Sequence, residues 1–315
     1  MDISAAKSIC DRILLNVTSV ILGKNEEVHN ALCCWLAGGH VLLEDVPGTG
    51  KTILARALAG SVQVLTRRIQ FTPDLLPSDI IGTAIYSREQ GNFRFMPGPI
   101  FTSVLLADEI NRATPRTQSA LLQAMAESQV TAENNTYALP PNFFVIATQN
   151  PVEQQGTFPL PEAQLDRFMM RLSLGYPDTN AEITLVKNQL LAHPIDHLKS
   201  VTNEQEMTAL RSFVAHIKIS DPAINYAAQL VAATRSHGAV ALAASPRATI
   251  ALIRCAQAYA LIRGETFVRP DIIKYLSGFV LDHRLKLNTK ARLDKIKPYQ
   301  VVQEIVNRVP VPTSA

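Results

Sequence analysis

The chain has 315 residues, 47% of them apolar and 18% charged, which is enough to bury a core and corresponds to about two domains of ordinary size. The balance is that of an ordinary soluble protein, and no stretch approaches the run of about 18 uninterrupted apolar residues that a membrane-spanning helix needs. The formal charge of +3 is uneven: Lys286, Lys290, Arg292, Lys295 and Lys297 against Asp294 carry +4 in one short run, leaving −1 for everything else, which speaks against a chain built to grip nucleic acid.

The N-terminal MDISAAKSICDR carries Asp2, Lys7, Asp11 and Arg12 where a secretory signal would be apolar, so a cytoplasmic protein is expected. Val28 to Leu36 reads as an apolar helical stretch. It contains the adjacent Cys33 and Cys34, which with Cys10 and Cys255 show no metal-ligand spacing and are expected to be buried, reduced thiols.

Residues 40 to 52, HVLLEDVPGTGKT, form an apolar strand that breaks into a glycine-bracketed turn, with ILARALAG (Ile53 to Gly60) predicted as a short helix closed by its glycine. This is the pattern of a phosphate-binding loop, in which glycines let backbone N–H groups curl round a phosphate at the positive end of a helix. The predicted nucleoside triphosphate cradle is Asp45, Val46, Pro47, Gly48, Thr49, Gly50, Lys51 and Thr52. Lys51 is expected to reach the β- and γ-phosphates and the Thr52 hydroxyl to ligate Mg²⁺. Asp45 stands where the general pattern has glycine, but it falls at the strand end, outside the curve made by Gly48 and Gly50.

A second strand is predicted over Arg68 to Phe71, followed by a hairpin over Thr83 to Met96 with Tyr86, Phe93 and Phe95 around a polar tip, Glu89-Gln90-Gly91-Asn92. Val104 to Ala107 form the unbroken apolar run of a strand covered on both faces. At its end Asp108 is placed to hold Mg²⁺ through its water shell and Glu109 to orient or deprotonate the attacking water. Gln129 to Leu139, folded about Asn134-Asn135, reads as another hairpin; both hairpins are equally readable as plain surface connections. A further strand, Phe143 to Ala147, ends in Thr148-Gln149-Asn150-Pro151, where the Asn150 amide can point at a γ-phosphate or lytic water or serve simple turn chemistry. Phe168 to Leu172 is the last predicted strand. The alternation of strands and helices up to Gly175-Tyr176-Pro177 argues a parallel sheet flanked by helices.

After that boundary the pattern turns helical throughout. Met207, Leu210, Val214 and Ile217 recur at helical spacing, and helices open at Asp221-Pro222, at Ser245-Pro246 (ending before Gly264) and at Pro270-Asp271. The division is therefore residues 1–176, an α/β nucleotide-binding core, and 177–315, a small helical bundle, with ATP in the crevice between them. The basic run Lys286 to Lys297 reads as a solvated face or as a patch for nucleic acid or an acidic partner.

In the segments LEDVPGTGKT (43–52), VLLADEINRA (104–113), ATQNP (147–151), FPLPEAQLDRF (158–168) and ASPRA (244–248) the chain resembles an AAA+ ATPase of the MoxR family, in that family's order and over most of its length. In MoxR-like sequences the aspartate matching Asp45 is usual. The resemblance implies an α/β P-loop core carrying a helix-2 insert and a pre-sensor 1 hairpin, both facing a ring pore, followed by an all-helical lid. It gives Arg167, in LDRF, the role of an arginine finger reaching a neighbouring subunit's γ-phosphate, with Arg112 and Arg116 as rivals. Arg247 becomes a sensor 2 arginine touching phosphates from the lid. From the residues alone these two are a surface ion pair and a solvated first-turn residue. The resemblance further implies a homo-oligomeric ring, expected as a hexamer, that couples MgATP hydrolysis to remodelling or metal-cofactor maturation of a protein client, with a von Willebrand factor A domain protein as expected partner. The competing reading of the same core is a nucleic-acid motor or DNA-bound regulator.

Overall fold

The computed structural model describes residues 1–46, 48–87, 91–132, 135–150, 156–190 and 194–312, without the side chains of Ser87 and Gln189. Pro47, Glu89, Gln90, Asn134 and Pro151, each part of a motif above, lie outside the described residues.

Two helices, α1 (Ile3–Thr18) and α2 (Asn25–Leu36), precede the first strand, β1 (Val41–Glu44), and the phosphate loop leads directly into α3 (Lys51–Ser61). The edge strand β2 (Thr66–Gln70), the short α4 (Pro77–Ile81) and a hairpin of β3 (Gly82–Ser87) and β4 (Asn92–Pro97) follow. Next come β5 (Val104–Asp108), α5 (Pro115–Glu127), a second hairpin of β6 (Gln129–Ala132) and β7 (Asn135–Ala138), then β8 (Phe144–Gln149), α6 (Glu162–Leu165) and β9 (Met170–Leu172). The remainder comprises α7 (Thr179–Gln189), α8 (Glu204–Val214), α9 (Asp221–Arg235), β10 (Val240–Leu242), α10 (Pro246–Arg263), α11 (Pro270–Leu281), β11 (Lys286–Leu287), α12 (Thr289–Leu293) and α13 (Pro298–Arg308).

The central sheet has the order β2-β5-β8-β1-β9, and every pairing in it is parallel. Its central strands β5 and β8 are buried almost throughout because both faces are covered, and the strand period of two divides their residues between faces. Val41, Leu43, Val104, Leu106, Phe144 and Ile146 enter a cluster with α1, α2 and α3, whereas Leu42, Leu105, Ala107, Val145 and Ala147 enter the one beneath α5. Trp35 of α2 stacks on Phe144 at 5.3 Å, and its indole N–H donates to the Asn142 carbonyl at 3.0 Å.

The first cluster does not stop at residue 176. It continues through α8, α9, α10, α11 and α13, so the N-terminal helices share one core with the C-terminal bundle. That bundle is mainly helical, and periodicity did not reveal its antiparallel ladder between β10 and β11 or its isolated parallel bridge between Lys218 and Phe267. Strands of two or three residues are too short to show a period of two, and tertiary pairing alone makes them visible. Helix boundaries follow local chemistry: Ser245 caps α10 by accepting from the Arg247 N–H at 3.2 Å, Pro246 sits in its first turn, and Gly264 closes it at φ +75°. The predicted stop of α3 at Gly60 is corrected: the helix runs one residue further, to Ser61, and its C-cap is Val62, so Gly60 is not the cap.

Both hairpins form, and they touch: Phe95 of the first stacks on Tyr137 of the second at 4.3 Å. All four cysteines are buried and free. Among the described residues, no helix is long and apolar enough to cross a membrane.

Candidate active site

Because β1, β5 and β8 run parallel and adjacent, their carboxyl ends deliver Asp45, Asp108 and Asn150 to one edge of the sheet, the edge where open α/β folds bind ligands. Gly48 and Gly50 hold φ +83° and +89°, and a Cβ on either would meet nothing within 4 Å. The left-handed backbone, and not a lack of room, therefore calls for glycine. Gly50 is the N-cap of α3, so the positive end of that helix opens onto the loop.

Gly48, Thr49, Gly50, Lys51, Thr52, Asp108, Glu109, Thr148 and Asn150 line one cavity of about 340 Å³. The Lys51 ammonium donates to the carbonyls of Asp45 at 2.7 Å and Val46 at 3.0 Å, so the loop holds it folded back over its own backbone. Burial lowers its pKa from the usual lysine value, and Asp45, Asp108 and Glu109 oppose that shift. Thr49 donates its hydroxyl to the Val46 carbonyl at 3.3 Å.

Both oxygens of the buried Asp108 carboxylate are engaged. Thr148 Oγ1 donates to Oδ1 at 2.6 Å, and Arg68 on β2 reaches Oδ2 through Nη2 at 2.7 Å and Nε at 3.2 Å. The same Thr148 oxygen accepts the Glu109 N–H at 2.8 Å. Glu109 itself stands at φ +58°, a left-handed conformation that costs a residue with a Cβ about 1–2 kcal/mol. That turn brings its carboxylate beside Gln70, which donates at 2.8 Å, and Arg112, at 3.1 Å. Arg68, Gln70 and Thr148 were assigned no role from the sequence. The available signal was the alternation Arg68-Ile69-Gln70 around a buried Ile69, which puts two long polar side chains on the same face of an edge strand.

A second cavity, of about 200 Å³, shares Gly48, Thr49, Gly50 and Ile53 with the first and is otherwise walled by Val20, Ile21, Leu22, Lys24, Pro177, Leu185, Asn188 and Pro194. Together the two form an elongated site, polar at the helix N-terminus and mainly apolar at the other end, which suits a phosphate chain joined to a flat base. Among the described residues, the crevice is closed by the turn after α1, by α7 and by Pro194, and no residue of α8 to α13 lines it.

Residues 40–170 match the family model described as "ATPase family associated with various cellular activities (AAA)", and residues 232–305 match the AAA lid domain. The chain is 47% identical to protein YeaC of Bacillus subtilis (strain 168), over 94% of this chain and 93% of that one. It is 38% identical to Chaperone MoxR1 of Mycobacterium tuberculosis (96% of this chain, 82% of that protein) and 31% identical to Protein MoxR of Methylorubrum extorquens (94% and 93%). The chain belongs to the MoxR family of AAA+ ATPases. A crystal structure from Cytophaga hutchinsonii ATCC 33406, 37% identical, superposes with a TM-score of 0.92 over 99% of this chain and 97% of that one.

In this MoxR-family protein the side chains of Asp45, Arg167 and Arg247 line neither cavity. The Asp45 carboxylate turns away from the loop and accepts the backbone N–H groups of Leu174 at 2.5 Å and Gly175 at 2.9 Å. It ties the end of β1 to the segment leading into α7, outside the curve of Gly48 and Gly50, and its backbone carbonyl accepts from Lys51. Arg167 is half-buried and donates to the Leu122 carbonyl at 2.6 Å, lining neither cavity. Arg247 is exposed in the first turn of α10 and also lines neither. Of the rival arginines, Arg112 is paired with Glu109 on its own chain, and Arg116 lines a separate cleft between α4 and the hairpins. The basic run is divided: Lys286 reaches Glu162 on α6 at 2.5 Å, while the others lie on α12 and its flanks.

Proposed function

We propose that this protein hydrolyses ATP with Mg²⁺, as a homo-oligomeric ring, and uses the cycle to remodel or mature a protein client. The observation that carries the reading is the single cavity in which Lys51, Thr52, Asp108, Glu109 and Asn150 converge from one loop and two strand ends. Hard oxygen donors, the Thr52 hydroxyl and the Asp108 carboxylate, fit Mg²⁺, which typically keeps most of its waters and takes one or two carboxylates. Bound there, the ion would neutralise phosphate charge. Asp108 would hold it through water, since both carboxylate oxygens already have protein partners.

The chain's own groups supply the rest. Backbone N–H groups from Gly48 to Lys51 cradle the phosphates, and Lys51 exchanges its carbonyl partners for phosphate oxygens. Water attacks the γ-phosphorus as the bond to the ADP oxygen breaks. Glu109 takes the proton from that water, and Asn150 orients it. Val20, Ile21, Pro177 and Leu185 offer the base an apolar slot. Arg167, exposed to neither cavity of its own chain, serves the site of the next subunit, and Arg247 reaches phosphate when the unit 177–315 closes on 1–176.

A client is supported by the chaperone name of the mycobacterial relative and by the paired hairpins, whose exposed Tyr86 and Phe93 meet edge to face at 5.4 Å. A von Willebrand factor A domain protein, a hexameric ring and a metal-cofactor client belong to the same proposal. The nucleic-acid motor is disfavoured because the basic run is partly spent on the Lys286–Glu162 pair.

The test is steady-state ATP hydrolysis with and without DNA, beside binding of a fluorescent ATP analogue. Glu109→Gln is expected to bind the analogue like the parent while turnover falls by about two orders of magnitude or more. Lys51→Ala is expected to lose binding as well. Parent-like turnover by Glu109→Gln removes Glu109 from the chemistry, and strong stimulation by DNA returns the motor reading.

A further inference from the structure

Arg284 follows α11 in a single helical turn, and its side chain is only 3% exposed. All five of its N–H donors are used. Nε donates to Asp166 Oδ1 at 2.8 Å, Nη1 to the carbonyls of Met169 at 3.1 Å and Val280, and Nη2 to the carbonyls of Phe168 at 2.7 Å and Asp166 at 3.3 Å. The adjacent His283 adds its Nε2 to the Phe168 carbonyl at 3.0 Å. Ser245, the cap of α10, donates its hydroxyl to the other oxygen of Asp166 at 3.1 Å.

Every one of these bonds but the one to Val280 falls on Asp166, Phe168 or Met169, the residues that bracket Arg167. The lid holds the backbone on both sides of that arginine, while its guanidinium points the other way, to α5. A second link runs parallel: Arg171 of β9 bridges Asp282 at 2.5 Å and Glu44, at the end of β1 beside the phosphate loop, at 2.8 Å. A buried charge pair is a poor way to gain stability, since well-packed apolar groups usually do as well. What a planar, five-donor fork does achieve is to fix several carbonyls in one geometry.

We propose that Arg284 is a positioning residue for Arg167: the lid of one subunit sets how Arg167 is presented to the ATP site of the next. This rests on the reading of Arg167 as acting in trans. The lid also carries Arg247, two residues after Ser245, so one lid bears both on the nucleotide of its own subunit and on the arginine offered to the neighbour.

The test uses mixed full-length subunits. Glu109→Gln subunits donate an intact Arg167 but cannot hydrolyse; Arg167→Ala subunits keep Glu109 and accept an arginine from a neighbour. Activity recovered on mixing is the baseline, and Arg284→Gln is then placed on the donor or on the acceptor. On the donor it is expected to lower recovered activity about tenfold or more, as small misplacements of a reacting group do. On the acceptor it is expected to change activity less than about twofold. A merely structural role predicts the reverse, because the acceptor must bind and hydrolyse ATP. Arg284→Lys keeps the charge but has three donors where four carbonyls and a carboxylate oxygen are held now, and it is expected to repeat the donor-selective loss even if the glutamine variant fails to fold. Equal losses on both subunits, or a loss confined to the acceptor, overturn the proposal. No recovery in the baseline mixture refutes the trans reading itself, and this inference falls with it.

Discussion

Replacing Asp45 tests the link between the end of β1 and the segment that leads into α7. One oxygen of this 8% exposed carboxylate accepts two backbone N–H groups, those of Leu174 and Gly175. Asp45→Ala leaves both amides without an acceptor. The buried Leu174 N–H then costs about 1–3 kcal/mol, and the partly solvated Gly175 N–H costs about 1 kcal/mol, giving a loss of about 2–4 kcal/mol. Asp45→Asn keeps one carbonyl oxygen with two lone pairs in the same position and loses only the charge assistance, about 1 kcal/mol. For a chain of 315 residues, the usual unfolding entropy per residue converts these figures to a Tm lowered by about 3–6 °C for alanine and about 1–2 °C for asparagine. Scanning calorimetry of the three proteins measures this directly. Binding of a fluorescent ATP analogue should weaken in the alanine variant too, because the freed segment leads into α7, whose Leu185 and Asn188 wall the apolar cavity. Equal Tm values for Ala and Asn, or an alanine variant within about 1 °C of the parent, would show that the carboxylate is not holding residues 174 and 175.

Acid is expected to destabilise the fold through buried imidazoles. Burial lowers the His40 pKa from 6.5 to about 4; its ring accepts the Val145 N–H at 3.0 Å and lies 3.2 Å from the Met125 carbonyl, and burial likewise pushes His283 down. The unfolded chain binds the proton first, so the stability is fully present above pH 6.5 and is lost as pH falls from there toward 4; His40 alone accounts for about 2 kcal/mol between pH 7 and pH 5. Denaturation at both pH values should show a shallower acid loss for His40→Gln than for the parent, and an unchanged slope would remove His40 from the effect. Arg247→Ala should leave stability within about 0.5 kcal/mol, because the side chain is exposed, while fluorophores across residues 175–178 report much weaker ATP-driven closure; equal closure in parent and variant would make Arg247 an ordinary first-turn residue.

The sequence by itself determined what a short window of chain can encode. The strand, glycine turn and helix from His40 to Ser61, the acidic tip of the strand ending at Asp108, and the cap Ser245 with Pro246 are set by backbone preference and by hydrophobic period over a few residues, and each is legible without knowing the fold. Tertiary structure decided which polar groups answer one another. Arg68 finds Asp108 across 40 positions, Thr148 finds the same carboxylate from the other side, and Arg284 finds Asp166 across 118. The side chain of Asp45 at the sheet edge, the ladder of β10 and β11 and the continuous core joining α1 to α10 were decided in the same way. The physical reason is that a propensity is a property of neighbours in sequence, whereas a buried carboxylate or guanidinium is satisfied by whatever donor or acceptor the chain topology brings within about 3 Å of it.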